Sequence, residues 1–258
     1  MTNKISTFLK EAYWKAWYSY VSKKDKNNEL TFLNYGFQGD KTGPVSREEN
    51  RYSIQLYEFV ATSIPGGIEG KDILEVGCGR GGGALFLAET HNPKSLVGMD
   101  LCSAAIDFCV DNHYNSRLCF LEGDAQNIPL ENNSQNAVIN IESSHRYPNM
   151  NQFLKEVNRV LKPQGYFSFA DFRASNKIDA LKQSFLASGM KLLKSEIITP
   201  QVLRALELDD ERKLELISKL VPKILHKPAR EFASVKGSAS YESLAKRQRE
   251  YIYFLMQK

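Results

Sequence analysis

Five carboxylates and one histidine stand at or near the ends of short apolar runs in this sequence: Glu75, Asp100, Asp124, Glu142, Asp171 and His145. A dense glycine cluster, Gly77-Cys78-Gly79-Arg80-Gly81-Gly82-Gly83, begins two residues after Glu75. An apolar run, the glycines and then Ala84-Leu85-Phe86-Leu87-Ala88 read as strand, turn and helix. That arrangement lets backbone N–H groups approach a nucleotide-like ligand with no Cβ in the way. Gly77, Gly79 and Gly82 also fit the G-x-G-x-x-G pattern of dinucleotide enzymes. The plain alternative is a turn with no ligand, although so many glycines weaken a fold that gains nothing from them. Glu75 separates the ligands. A carboxylate there repels a pyrophosphate but suits a molecule carrying ammonium and sulfonium charge, which favours S-adenosylmethionine (SAM) over NAD.

Asp100 lies twenty-three residues beyond Gly77, where an acid can accept two ribose hydroxyls; its plain alternative is a neighbour of a helix cap. The next residue, Leu101, is grouped with it as a cofactor contact. Asp124 is placed to reach the adenine amino group and the Ala125 N–H a ring nitrogen, against the alternative of an empty Gly-Asp turn. The Gly77–Gly81 turn, with Gly77, Gly79 and Gly81, would face the methionine part. Tyr35, in Asn34-Tyr35-Gly36-Phe37, offers the aromatic face that a sulfonium favours.

Methyl transfer is an in-line displacement, so a protein contributes mainly alignment and exclusion of water. A hydroxyl acceptor must also lose its proton. His145 is the candidate base. A lone histidine is more often structural, but Asp171 could fix its tautomer and stabilise the imidazolium. Glu142 is the substitute base, or a SAM contact, or a turn cap. Arg173 reads equally as an anion contact or a surface ion pair.

The elements that must hold these groups alternate strand and helix. Strands are expected at Ile73–Val76, Ser95–Asp100, Leu118–Glu122, Ala137–Ile141 and Tyr166–Ala170, with Asp171 ending the fifth. Ser103 should cap a helix running to Asn112. Phe153, Leu154, Val157, Val160 and Leu161 form a helical stripe stopped by Pro163 and Gly165. Met190–Ile198 and Glu250–Met256 read as two further strands, with about fifty residues of charged helical sequence between them. An insertion there normally sits over the carboxyl edge of the sheet. Residues 1–60 look helical and aromatic, and are read as a lid. An interfacial helix over residues 5–21, with Lys4, Lys10 and Lys15, is the competing reading, and plain packing on the core a third.

Hydrophobic content of 42% and charged content of 25% fit one soluble globular domain with a substantial core. The net charge of +4 is spread among acids, so nucleic acid is not an expected partner. No apolar run reaches transmembrane length, and no signal peptide is apparent. Cys78, Cys102, Cys109 and Cys119 form no C-x-x-C pair and read as small buried thiols in a reducing cytoplasm, with no metal. A homodimer is compatible with such a chain.

With these residues in place, the chain resembles class I SAM-dependent methyltransferases over nearly its whole length. Motif by motif it is similar to the phthiotriolone/phenolphthiotriolone dimycocerosate-type O-methyltransferases. The shared stretches stand here as Gly77–Gly83, Asn34–Phe37, Glu142–Pro148 and Ala170–Arg173. It departs from them at two turns, Ser134-Gln135-Asn136 and Pro163-Gln164-Gly165. The resemblance implies a Rossmann-like α/β fold with a seven-stranded mixed sheet and helices on both faces. Its parts would be a lid (1–60), a SAM-binding core (61–198), a helical cap (199–245) and a last strand (246–258). It also places His145 and Asp171 at positions that are catalytic in related sugar O-methyltransferases. The expected activity is O-methylation of a hydroxyl on a small or lipid-like metabolite. The rivals are a C-methyltransferase, a SAM-binding protein without catalysis and, more distantly, an NAD(P) oxidoreductase.

Overall fold

The computed structural model describes residues 24, 25, 28–39 and 49–258. The aromatic stretch from Phe8 to Tyr20 lies outside the described residues, as does its membrane-surface alternative. Among the described residues, no helix is long and apolar enough to cross a membrane.

In chain order the elements are α1 (Arg51–Thr62), β1 (Asp72–Val76), α2 (Gly82–Thr90), β2 (Ser95–Asp100), α3 (Ser103–Asn112), β3 (Leu118–Glu122) and β4 (Gln135–Ile141). There follow α4 (Met150–Val160), β5 (Leu161–Ala174), α5 (Ile178–Leu186) and β6 (Lys191–Ile197). Four helices then precede the last strand: α6 (Thr199–Leu208), α7 (Asp210–Leu220), α8 (His226–Phe232), α9 (Ala239–Ala245) and finally β7 (Arg249–Gln257). The strands form one sheet in the order β3-β2-β1-β4-β5-β7-β6. β1 to β5 pair in parallel, while β7 runs antiparallel to both β5 and β6.

Both faces of the sheet are covered, so alternate residues of one strand feed two cores. Tyr251, Tyr253 and Leu255 of β7 pack with α1, α2 and α6. Ile252, Phe254 and Met256 pack with α4 and α5 on the other face. α4 carries Phe153, Leu154, Val157 and Val160 at helical spacing, all buried. It starts where the Asn149 side chain accepts from the Gln152 N–H.

Three local expectations are corrected. Leu161 belongs to β5, because the helix ends three residues before Pro163. Asp171 lies inside β5, opposite Ile252, because pairing with β7 carries the strand on to Ala174. Ser103 is the first residue of α3 and not its cap; the cap position is Cys102, whose side chain does not cap the helix, and Asp100 accepts the Cys102 N–H.

β1 and β4 are neighbours whose chains leave in opposite directions, β2 lying to one side of them and β5 to the other. The crevice at their carboxyl ends is where open α/β sheets bind ligands. Residues 28–39 pass over it, and the α6–α9 insertion meets them there.

Candidate active site

The glycine loop is built for close approach. Gly77, Gly79 and Gly81 all have positive φ, at 81°, 55° and 73°. A Cβ on Gly77 would lie 1.9 Å from Ser143 Oγ, so no other residue fits there. Asp100 closes the loop from below: Oδ2 accepts the Gly79 N–H at 2.9 Å and Oδ1 the Cys102 N–H at 2.9 Å. Burial raises its carboxyl pKa, and those backbone donors oppose the shift. Leu101 beside it is 53% exposed, an apolar surface standing free at the crevice. Asp124 is exposed and accepts the Gln126 N–H at 2.8 Å, while Ala125 is buried.

Glu75 is 1% exposed. Its Oε1 accepts from the Tyr57 hydroxyl at 2.6 Å, and its Oε2 has no hydrogen-bond partner. Burial pushes its pKa up to about 7; the Tyr57 bond opposes this and Asp100 adds to it. A buried carboxylate oxygen without a partner costs free energy that a cation can recover. The residues present therefore fit a donor carrying ammonium and sulfonium charge.

His145 and Asp171 meet. Nδ1 of the imidazole is 2.9 Å from Asp171 Oδ1, and the His145 N–H donates to Oδ2 at 2.9 Å. Asp171 is fully buried and also accepts from Ser144 Oγ at 2.7 Å and pairs with Arg173 at 3.0 Å. Burial pushes this carboxyl up, but His145, Arg173 and Ser144 together outweigh it and hold it well below the usual carboxylate range. Arg173 is thus neither an open anion contact nor a surface pair: its side chain is 15% exposed and bound to Asp171 and Ser144. On the other ring nitrogen, Arg146 Nε donates to His145 Nε2 at 3.2 Å. A guanidinium only donates, so its neighbours assign the imidazole proton to Nδ1 and a lone pair to Nε2.

Tyr35 joins three parts of the chain. Its N–H donates to Glu142 Oε1 at 2.6 Å, and its carbonyl accepts from Lys213 Nζ of α7 at 3.3 Å. Its ring stacks on Phe172 at 5.3 Å, and Phe172 stacks on His145 at 4.3 Å. Glu142 leaves β4 in the left-handed region, φ 45°, and Oε1 also accepts from Tyr251 at 2.9 Å. Burial pushes Glu142 up to about 8, against the Tyr35 and Tyr251 bonds. Gly36 is held and not loose. Its φ is 91°, and a Cβ would come within 2.8 Å of Tyr52 Cβ.

Sequence reasoning missed the groups that position this segment. Arg80, inside the glycine run, is buried, pairs with buried Asp25 at 2.8 Å and lies over the Phe108 ring at 3.5 Å. Asp25 in turn accepts the Glu29 and Leu30 N–H groups. The one available signal was an arginine flanked by glycines; Asp25 carried none. Lys213 and Tyr251 were likewise hidden in the charged insertion and the last strand. None of the four cysteines is in a disulfide; Cys78 and Cys109 are buried as expected, but Cys119 is exposed. Among the described residues no cluster of ligating side chains could hold a metal ion.

Residues 74–169 match a family model described as a methyltransferase domain. The phthiotriol/phenolphthiotriol dimycocerosates methyltransferase of Mycobacterium tuberculosis is 37% identical over 237 residues, covering 90% of this chain and 87% of the relative. A fatty-acid O-methyltransferase of Mycolicibacterium smegmatis is 37% identical over 238 residues, covering 91% and 85%. In fold, the chain is similar to geranyl diphosphate C-methyltransferase from Streptomyces coelicolor, with a TM-score of 0.64 at 15% identity, covering 91% and 94%.

Proposed function

Because this chain belongs to the SAM-dependent methyltransferases, we propose that His145 and Asp171 serve it as base and supporting carboxylate in O-methylation of a lipid-like hydroxyl. The names of the relatives, phthiotriol and fatty-acid methyltransferases, support a lipid-like acceptor. The observation that carries the base assignment is the tautomer of His145. Asp171 holds the proton on Nδ1, which leaves the Nε2 lone pair as the only one available to an acceptor hydroxyl.

The donor, when bound, supplies a sulfonium methyl for in-line transfer to the acceptor oxygen. Glu75, Asp100, Leu101, Asp124, Ala125 and the Gly77–Gly81 turn are the residues proposed to hold it. Residues 28–39 cover the crevice and exclude water, with Tyr35 as the contact nearest the reacting centre. Arg146 is exposed on a short turn and swings off Nε2 when an acceptor arrives. His145 then takes the hydroxyl proton, and the buried Asp171 carboxylate stabilises the imidazolium. Glu142 is the reserve base, its pKa of about 8 lying near neutral pH. A cytoplasmic location belongs to the same proposal and is supported by four cysteines outside any disulfide.

Loss of a general base costs about 10²–10⁴ in rate. His145→Ala should therefore lower kcat within that range while SAM affinity, read by calorimetry, stays within about twofold. Unchanged kcat would remove His145 from the chemistry and make Glu142→Gln the next variant.

A further inference from the structure

The turn between α7 and α8, residues 221–225, carries an apolar tip among cations. Ile224 is 88% exposed, more than any other Leu, Ile or Val among the described residues. A lone exposed isoleucine needs no explanation. This one is flanked by Lys223, Lys227 and Arg230, all exposed and none in an ion pair among the described residues. From Leu216 to Arg230 the chain holds four Lys and Arg residues and no Asp or Glu; the fourth cation, Lys219, is spent on Glu29. The next acid, Glu231, turns to α9, where its carboxylate accepts the Ala239 and Ser240 N–H groups at 3.0 and 2.9 Å. Lys227 feels that carboxylate at a distance but makes no bond to it. Lys227 and Arg230 stand three residues apart on one face of α8, where like charges repel. Negative charge outside the protein relieves that repulsion.

The tip is held in place. Ile217, Ala229 and Val235 form a small core at its base, and Val221 packs on it. His226 Nε2 meets the Val221 carbonyl at 2.9 Å, and the Leu225 N–H donates to the Pro222 carbonyl at 2.8 Å. Bonded structure thus presents Ile224 to the outside. An apolar apex with cations at its sides matches the boundary between acyl chains and anionic headgroups. From the tip, α8 runs for about 9 Å to Phe232, whose ring lies 5.8 Å from the Arg146 guanidinium. Arg146 Nε in turn donates to His145 Nε2. A lipid surface meeting the tip is therefore one short helix away from the candidate base.

We propose that the α7–α8 turn docks the protein on an anionic lipid bilayer, with Ile224 entering the headgroup boundary and Lys223, Lys227 and Arg230 meeting the lipid anions. Such docking goes beyond the methyl-transfer reading and requires neither its base nor its acceptor. No covalent bond forms or breaks, so the contact is reversible, and salt weakens it by screening the cations. Each cation near such a surface is worth about fivefold in affinity. Three together give roughly a hundredfold preference for anionic over neutral lipid.

Co-sedimentation of the full chain with vesicles tests this, with equimolar phosphatidylserine and phosphatidylcholine set against phosphatidylcholine alone. Wild type should bind the anionic vesicles about a hundredfold more tightly and lose that preference in high salt. Lys223→Gln, Lys227→Gln and Arg230→Gln, made together, should remove the preference. Ile224→Ser should weaken binding to anionic vesicles about tenfold. Both variants should keep the Tm shift given by SAM, which shows that they are folded. Lys4→Gln, Lys10→Gln and Lys15→Gln, made together, should bind as wild type does. Equal affinity of wild type for the two kinds of vesicle would overturn the proposal, as would undiminished binding by the tip triple variant. Binding that is lost with the three N-terminal lysines and kept without the tip cations would place the anchor elsewhere and overturn it as well. Wild-type affinity in Ile224→Ser would do the same, leaving a cation patch open to any polyanion.

Discussion

Glu75 shows how much one side chain decides. Its position before the glycines pointed from sequence to a cationic ligand, and its unpartnered Oε2 supplies the physical reason. With a pKa of about 7, it is largely protonated below neutral pH in the free protein. A ligand bearing ammonium and sulfonium groups favours the ionised form, so binding depresses the pKa and releases a proton. SAM affinity should therefore rise as pH increases through about 7, and Glu75→Gln should flatten that dependence; calorimetry between pH 6 and 8 in two buffers of different ionisation enthalpy checks both. The same raised pKa means that Glu75 costs stability as pH rises, since the unfolded carboxyl is already ionised above its ordinary value. Asp171 has the opposite sign. Its pKa is held down, so its contribution is full above the ordinary carboxylate range and is lost as pH falls through it.

At the scale of elements, residues 28–39 are fastened by contacts that composition and periodicity could not reveal. Both partners of Arg80–Asp25 are buried, with side chains 0% and 1% exposed, and removing one partner of such a pair costs on the order of 3–5 kcal/mol. Asp25→Ala should lower stability by about that amount in urea denaturation and weaken SAM binding, because the segment over the glycine loop loses its hold. An unchanged midpoint would show that the pair contributes nothing net. The strands and the glycine loop were legible because period-two apolar runs and glycine clusters are local signals. Asp25 was not, since its partner is fifty-five residues away and nothing near it hints at burial. The extension of β5 to Ala174 was hidden for a related reason: it depends on pairing with β7, not on the residues of β5 alone. Lys213 looked like one more charge in a charged helix, and only the fold shows that it faces inward.

Taken whole, the molecule is a scaffold whose crevice at the carboxyl ends of β1 and β4 is closed by parts of the chain far apart in sequence. Ligand binding should therefore stiffen the entire unit. SAM at about a hundredfold its Kd stabilises a folded state by about 2.7 kcal/mol, which for a chain of this size corresponds to roughly 5–11 °C in Tm. NADH at the same concentration should leave Tm within about 1 °C, and a comparable shift with NADH would contradict the reading of Glu75.

The place of β7 bears on how the protein is made. It is synthesised after the other six strands, yet it sits between β5 and β6 and pairs with both. Until it leaves the ribosome, β5 offers an open edge carrying Phe167 and Phe169 on its face. β6 has no strand neighbour, and the four-helix insertion lacks the strand on which α6 and α9 pack. Non-local pairing of this kind is slow and exposes sticky edges while it waits. The nascent chain therefore passes through a long interval with its parallel half assembled and its other half adrift, and in that interval a cell's holding chaperones have most to do for it.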